Sequence, residues 1–181
     1  MKRLTAYISH VKDLHSLNEY LNERLIINKN FKNTYTCAPT TFKELGKIIE
    51  QRYEEQGPGT KQNPIDFNDI DVSKITTFYN SNINEGIFEK TEFEYIDVSN
   101  WNVSEVKDMY KMFNECYNLK SVGDLSDWDV SKVKDMSLMF NDCYNLKTVG
   151  NLSKWNVSEC KNMYNMFKKS GITNIPNWYK V

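Results

Sequence analysis

Residues 98–124 read VSNWNVSEVKDMYKMFNECYNLKSVGD, residues 125–151 read LSDWDVSKVKDMSLMFNDCYNLKTVGN, and residues 152–178 read LSKWNVSECKNMYNMFKKSGITNIPNW. Trp101, Trp128 and Trp155 stand 27 residues apart, and so do Phe113, Phe140 and Phe167. The first two copies agree at 18 of 27 positions, enough to treat them as one unit repeated. A period of this length marks a repeat architecture, in which one copy cannot bury its apolar face alone but stacked copies can.

The apolar positions of the second copy are Leu125, Trp128, Val130, Val133, Met136, Met139, Phe140, Cys143, Leu146 and Val149. From Val133 to Cys143 they fall at i, i+3, i+6, i+7 and i+10, which predicts a short helix with one buried face. Ser131 stands where a cap is wanted, and Met136, Met139 and Phe140 are the buried knobs. Leu146 to Leu152 is too short and too glycine-punctuated for a second helix and reads as a strand. One strand per copy in parallel register gives a sheet along one side and helices along the other.

A segment ending in MF-x-x-C, followed by L-x-x-V and then LS-x-W-[ND]-VS, resembles the BspA-like leucine-rich repeats. These occur in bacterial surface proteins and in phage and mobile-element proteins. The resemblance covers residues 65–181. The expected fold is an α/β solenoid, leucine-rich-repeat-like, with about five short parallel strands and short helices opposite them, plus an N-terminal helical cap. The family is defined by its scaffold, so the resemblance implies no chemistry.

The array starts before the obvious copies. Ile65, Phe67, Ile70, Val72, Ile75 and Phe78 align with Ile96, Val98, Trp101, Val103, Val106 and Met109 at an offset of 31, leaving extra residues around 80–89. Later strands carry Gly123 and Gly150, and a glycine inside a strand pattern suggests a bulge. The final strand is expected at Ile172, Ile175 and Trp178, with Trp178 at the place of Leu152 and Val181 at that of Trp155. Pro176 suits an edge and blocks a further strand. Ahead of the array, residues 31–64 hold a linker and a capping helix over 41–56. Thr41 and Glu44 form its capping box, Gly57 stops it, and Pro58 and Gly59 prevent its return.

Residues 1–30 form a helical leader with two amphipathic runs, the second starting after a Ser16/Glu19 capping box. Its segment SLNEYLNERLIINKN resembles short leaders of gut bacteriophage proteins. Asp13, Glu19 and Glu23 interrupt any apolar run, so no signal peptide is read, and no stretch nears the ~20 apolar residues of a membrane helix. This predicts a cytoplasmic location in a bacterial host, or association with a virion.

The chain has 181 residues, a formal charge of −1 and 40% apolar residues, as expected for one domain, and it carries no electrostatic footprint for nucleic acid. A mean hydropathy of −0.64 fits a thin array with much surface. The third copy is locally basic, with Lys154, Lys161, Lys168, Lys169 and Lys180 against Glu159, and this reads as a solvated end. Cys116 and Cys143 share a repeat position on the buried face, Cys160 stands where Val106 and Val133 stand, and Cys37 is alone. They read as small apolar side chains and reduced thiols. Stacked helices would hold the first two about 10 Å apart, beyond disulfide reach.

His10 and His15 are the only histidines and are wrongly spaced for one metal on a helix. No nucleophile–base set and no phosphate loop is present, so neither a metal nor a cofactor is expected. Asp108 and Asp135 form a column beside Lys107, Lys134 and Lys161, read as a charged, solvated helix face; an unrecognised carboxylate site, at no particular residues, is the remaining enzymatic reading. The two NxS sequons, at Asn102 and Asn156, arise from the repeat.

Positions that differ between copies are the ones packing does not dictate. They include Tyr110/Ser137/Tyr164, Lys111/Leu138/Asn165 and Glu115/Asp142/Lys169. Tyrosine is enriched at interaction hot spots, which singles out Tyr110 and Tyr164, with Tyr117 and Tyr144 beside the cysteine column. Lys120 and Lys147 flank the expected strand face. The functional expectation is a non-catalytic protein–protein interaction module, intracellular and encoded by a phage or mobile element, gripping a bacterial host or virion protein without membrane insertion or nucleic acid. The alternative is a surface-exposed adhesin or a virion structural or cargo protein.

Overall fold

The computed structural model describes residues 35–180. The expected leader over residues 1–30, with His10 and His15, lies outside the described residues, as does Val181. Helix α1 spans Phe42–Gln56. The Thr41 hydroxyl accepts the Glu44 N–H at 3.2 Å, and the Glu44 carboxylate accepts the Thr41 and Thr40 N–H groups. Gly57, at φ 71°, closes the helix with its N–H on Tyr53 O. Leu45 and Ile49 are its buried face. Arg52 fixes its far side, paired with Asp69 at 2.7 Å and lying over the Phe67 ring.

The α/β solenoid with short helices and five parallel strands does not form. Among the described residues α1 is the one α-helix, and the strands are four pieces of two residues each in two small sheets. In the first, β1 (Ile65–Asp66) pairs parallel with β4 (Ile96–Asp97), Ile65 opposite Ile96. In the second, β2 (Tyr79–Asn80) pairs antiparallel with β3 (Glu85–Gly86), a hairpin that holds the extra residues of the degenerate copy. Neither Leu146–Leu152 nor 172–178 is a strand; only a 3-10 turn at Leu152–Lys154 is regular there.

The expected helix over Val133–Cys143 is broken by backbone geometry. Leu138 and Asp142 are left-handed, at φ 56° and 58°, as are their equivalents Lys111, Glu115, Asn165 and Lys169. Such residues are sterically costly unless other bonds over-determine them. Here the N–H groups alternate between two destinations. Those of Met139, Asn141 and Cys143 close tight local turns onto Met136, Leu138 and Phe140. Those of Met136, Leu138, Phe140 and Asp142 instead reach the carbonyls of Asn162, Tyr164, Met166 and Lys168 in the next copy, at 2.8–3.0 Å. A helix would have kept every bond inside one copy. The i, i+3 spacing that suggested a helix serves these turns equally well.

Asp-x-Ser and Asn-x-Ser supply the remaining corners. Asp97, Asp124 and Asn151 each accept the N–H of the serine two residues on, and Asn102, Asp129 and Asn156 do the same one corner later. Ser131 is therefore the donor in a turn onto Asp129 and caps no helix. Both NxS sequons are such turns. Gly123 and Gly150, at φ 83° and 89°, sit so close to Asp97 Oδ1 and Asp124 Oδ1 respectively that a Cβ would collide.

All ten apolar positions of the second copy are buried. They stack on their equivalents as columns. Phe88, Phe113, Phe140 and Phe167 lie face to face at 5.3–5.8 Å, and Trp128, Trp155 and Trp178 at 6.2–6.4 Å. Trp178 thus takes the tryptophan place, not that of Leu152: its Nε1 donates to Leu152 O as Trp155 Nε1 donates to Leu125 O. The third copy is shortened and Trp178 is reached early. Each tryptophan spans one copy boundary with a single N–H bond. Cys116 and Cys143 are free and buried, and each thiol donates to the carbonyl of the preceding column phenylalanine, Phe88 at 2.8 Å and Phe113 at 2.9 Å. The neighbouring Cys116 thiol and burial push the Cys143 thiol far up. A polar ladder runs beside them, with Asn141 Nδ2 on Asn114 Oδ1 and Asn114 Nδ2 on the enclosed carboxylate of Glu89.

Candidate functional site

Tyr117 and Tyr144 form an exposed pair. Their rings stack at 5.8 Å with 13° between planes, while 46% and 47% of each residue stays open to solvent. The repeat places them side by side, and two acids that differ between copies lock them. Tyr117 Oη donates to Glu115 at 2.8 Å and Tyr144 Oη to Asp142 at 2.7 Å. The bond to Glu115 pushes the Tyr117 phenol up to about 12, and that to Asp142 pushes Tyr144 in the same direction. Lys169 approaches Asp142 at 3.4 Å. Asn145 Nδ2 donates to Tyr117 O, and Lys147 Nζ to Tyr144 O at 3.1 Å. The pair ends at the second copy because the next equivalent is Gly171, where a Cβ would press on Tyr144 O.

Tyr117, Tyr144 and Lys147 therefore come together, while the other three expected residues stand elsewhere. Tyr110 is half-buried against Tyr79 of β2, edge to face at 4.7 Å, with Lys111 over its ring. Ser137, between Tyr110 and Tyr164 in the repeat, is buried, so this column is not continuously exposed. Tyr164 is 69% exposed on the third copy. Lys120 is tied to Glu94 and lies over Tyr95. Glu115 and Asp142 were visible as variable positions. Their partnership with the tyrosines two residues on had no distinguishing signal, because the phenol must fold back across an irregular turn.

Asp108 and Asp135 are no solvated helix face. They oppose one another across a parallel bridge and are half-buried, each accepting the N–H two residues on. Burial pushes the Asp108 carboxyl up, and the Asp135 charge adds to it. Among the described residues, no group of three or more His, Cys, Asp or Glu comes together as a metal site would require. A shallow cleft of about 300 Å³ lies between α1 and the turn at 90–93, lined by Ile49, Tyr53, Thr91 and Phe93 among others. No helix among the described residues is long and apolar enough to cross a membrane.

A family model matches residues 59–178, from Gly59 beside β1 to the last tryptophan of the column. The chain belongs to the family described as Mycoplasma protein of unknown function, DUF285. The DUF285 span contains both tyrosines of the stacked pair and every rung of the phenylalanine column, and it leaves α1 outside. No curated protein and no solved structure matches the chain.

Proposed function

We propose that this protein is a non-catalytic protein-binding module whose contact is centred on Tyr117 and Tyr144. The observation that carries the reading is the exposed, parallel ring pair, held in one geometry by Glu115 and Asp142. Large aromatic side chains fixed before binding lose little conformational entropy when a partner docks, and tyrosine recurs at binding hot spots. Lys147 and Asn145 beside them add donors at the rim. The repeat motifs, together with the DUF285 match, support reading the chain among the BspA-like repeat proteins. The likeness of residues 16–30 to phage leaders supports encoding by a phage or mobile element, and hence a bacterial host or virion protein as partner.

Affinity capture from a bacterial lysate tests this with paired variants. The unaltered chain should retain a stoichiometric protein, the Tyr117→Ala/Tyr144→Ala double variant should lose it, and Lys134→Ala should keep it. Retention by a double variant that remains folded by circular dichroism would refute the assignment of the face.

A further inference from the structure

The third copy carries a row of main-chain donors that find no partner among the described residues. In the first copy the N–H groups of Met109, Lys111, Phe113 and Glu115 bond the carbonyls of Asp135, Ser137, Met139 and Asn141, and the second copy repeats this onto the third. The equivalent N–H groups of Met163, Asn165, Phe167 and Lys169 meet no acceptor among the described residues. The alternate groups of Tyr164, Met166, Lys168 and Ser170 close local turns, as in every copy. Lys107 O and Lys134 O accept the N–H of the following copy's lysine, and Lys161 O, next in that series, is likewise without a partner among the described residues. The side chains tell the same story. Val130, Val133 and Met136 are buried, whereas their equivalents Val157, Cys160 and Met163 are half-open and Tyr164 stands clear. Lys161 and Lys168, one at each end of the donor row, are exposed and pair with no acid among the described residues.

We propose that this end face takes up an extended, acidic protein segment as an added rung. The segment's main-chain carbonyls receive the Met163, Asn165, Phe167 and Lys169 N–H groups, and its carboxylates lie against Lys161 and Lys168. This is strand addition to an unpaired edge, with hydrogen bonds giving affinity and charge giving choice of partner. The backbone narrows the partner further. Each copy that accepts these bonds is itself left-handed at two positions, Asn165 and Lys169 in the third. A segment following the same path is best served by Asp, Asn or Gly there, since these adopt that conformation most readily. The occupant is therefore an Asp-, Asn- and Gly-rich acidic stretch, and a second copy of this basic end is disfavoured by like charge. Lys169 is the one residue shared by the two surfaces, through its approach to Asp142, and the Tyr117→Ala/Tyr144→Ala variant tells the two readings apart.

The test is amide exchange by NMR on the full, 15N-labelled chain with a synthetic dodecapeptide rich in Asp, Asn and Gly, alongside a twin with Lys for Asp. The acidic peptide should slow exchange at Met163, Asn165, Phe167 and Lys169. Lys161→Glu/Lys168→Glu should weaken it by about tenfold or more, with binding falling as salt rises. Tyr117→Ala/Tyr144→Ala should leave this binding unchanged. Equal binding of the lysine twin, or acidic binding without protection of those four amides, would overturn the proposal. So would protection that rises with protein concentration in the absence of peptide, which would make the end a contact between copies.

Discussion

Phe140→Ala removes the ring at the middle of the phenylalanine column. Phe140 is fully buried, with parallel neighbours on both sides, Phe113 at 5.5 Å and Phe167 at 5.8 Å. Truncating a buried phenylalanine costs about 3–5 kcal/mol, from lost transfer energy and the cavity left behind. Each stacked pair is worth roughly 0.5–1.5 kcal/mol beyond area, and two are lost here, which argues for the upper part of that range. Phe167 is a useful comparison. It is 7% exposed and has one column neighbour, with Tyr179 meeting it only edge-on. Phe167→Ala should therefore cost less. Urea unfolding followed by tryptophan fluorescence measures both, and the slope with denaturant should not change. At roughly 2–4 °C per kcal/mol for a chain of this size, Phe140→Ala should lower Tm by about 6–20 °C. Asn141→Ala is no neutral control, since Asn141 holds Asn114 in the buried ladder; exposed Lys134→Ala is. A loss for Phe140→Ala no larger than for Lys134→Ala, or smaller than for Phe167→Ala, would refute the column as the source of stability.

Three further outcomes are expected. Gly150→Ala should destabilise by about 1–3 kcal/mol in the same assay, because Gly150 is left-handed and faces Asp124 Oδ1, and Asp124→Ala should make the double variant less than additive. Asp124 and Asp129 are held below the usual carboxylate range by bonds from Ser126 and Ser131. Their folded values are depressed, so their stability contribution is present above about pH 4 and is lost as pH falls through those values. Asp108, pushed up by burial, runs the opposite way: its contribution is present in acid and is lost as pH rises through its folded value. Asp124→Asn, which keeps the turn as Asn151 does, should reduce the acid loss read by urea midpoints between pH 5 and 2. Finally, ultraviolet titration should show Tyr117 ionising near 12, and Glu115→Gln should bring it back toward about 10.

The core was legible in the sequence and the backbone was not, for a reason visible at Leu138 and Asp142. Burial follows the repeat, so Trp128, Val133, Met136 and Phe140 could be placed inside without knowing the path between them. The capping box at Thr41 and Glu44 was equally open to reading, since its bonds span three residues and need no outside partner. Hydrogen-bond destination is different. The same i, i+3 spacing serves a helix, in which every N–H stays local, and a chain of turns, in which every second N–H goes to the next copy. Propensity favours the helix, because a left-handed leucine is costly. The turns win through main-chain bonds to the next copy, such as those from Met136, Leu138, Phe140 and Asp142, which only an already stacked neighbour can supply. The candidate site divides along the same line. The Tyr117/Tyr144 column came from the period alone, whereas the phenol–carboxylate locks depend on turn geometry that the period does not encode. A bond whose partner lies one copy away is made only where a neighbouring copy supplies the acceptor. That the Met163, Asn165, Phe167 and Lys169 N–H groups find no acceptor among the described residues follows from the same rule that prevents Val133–Cys143 from being a helix.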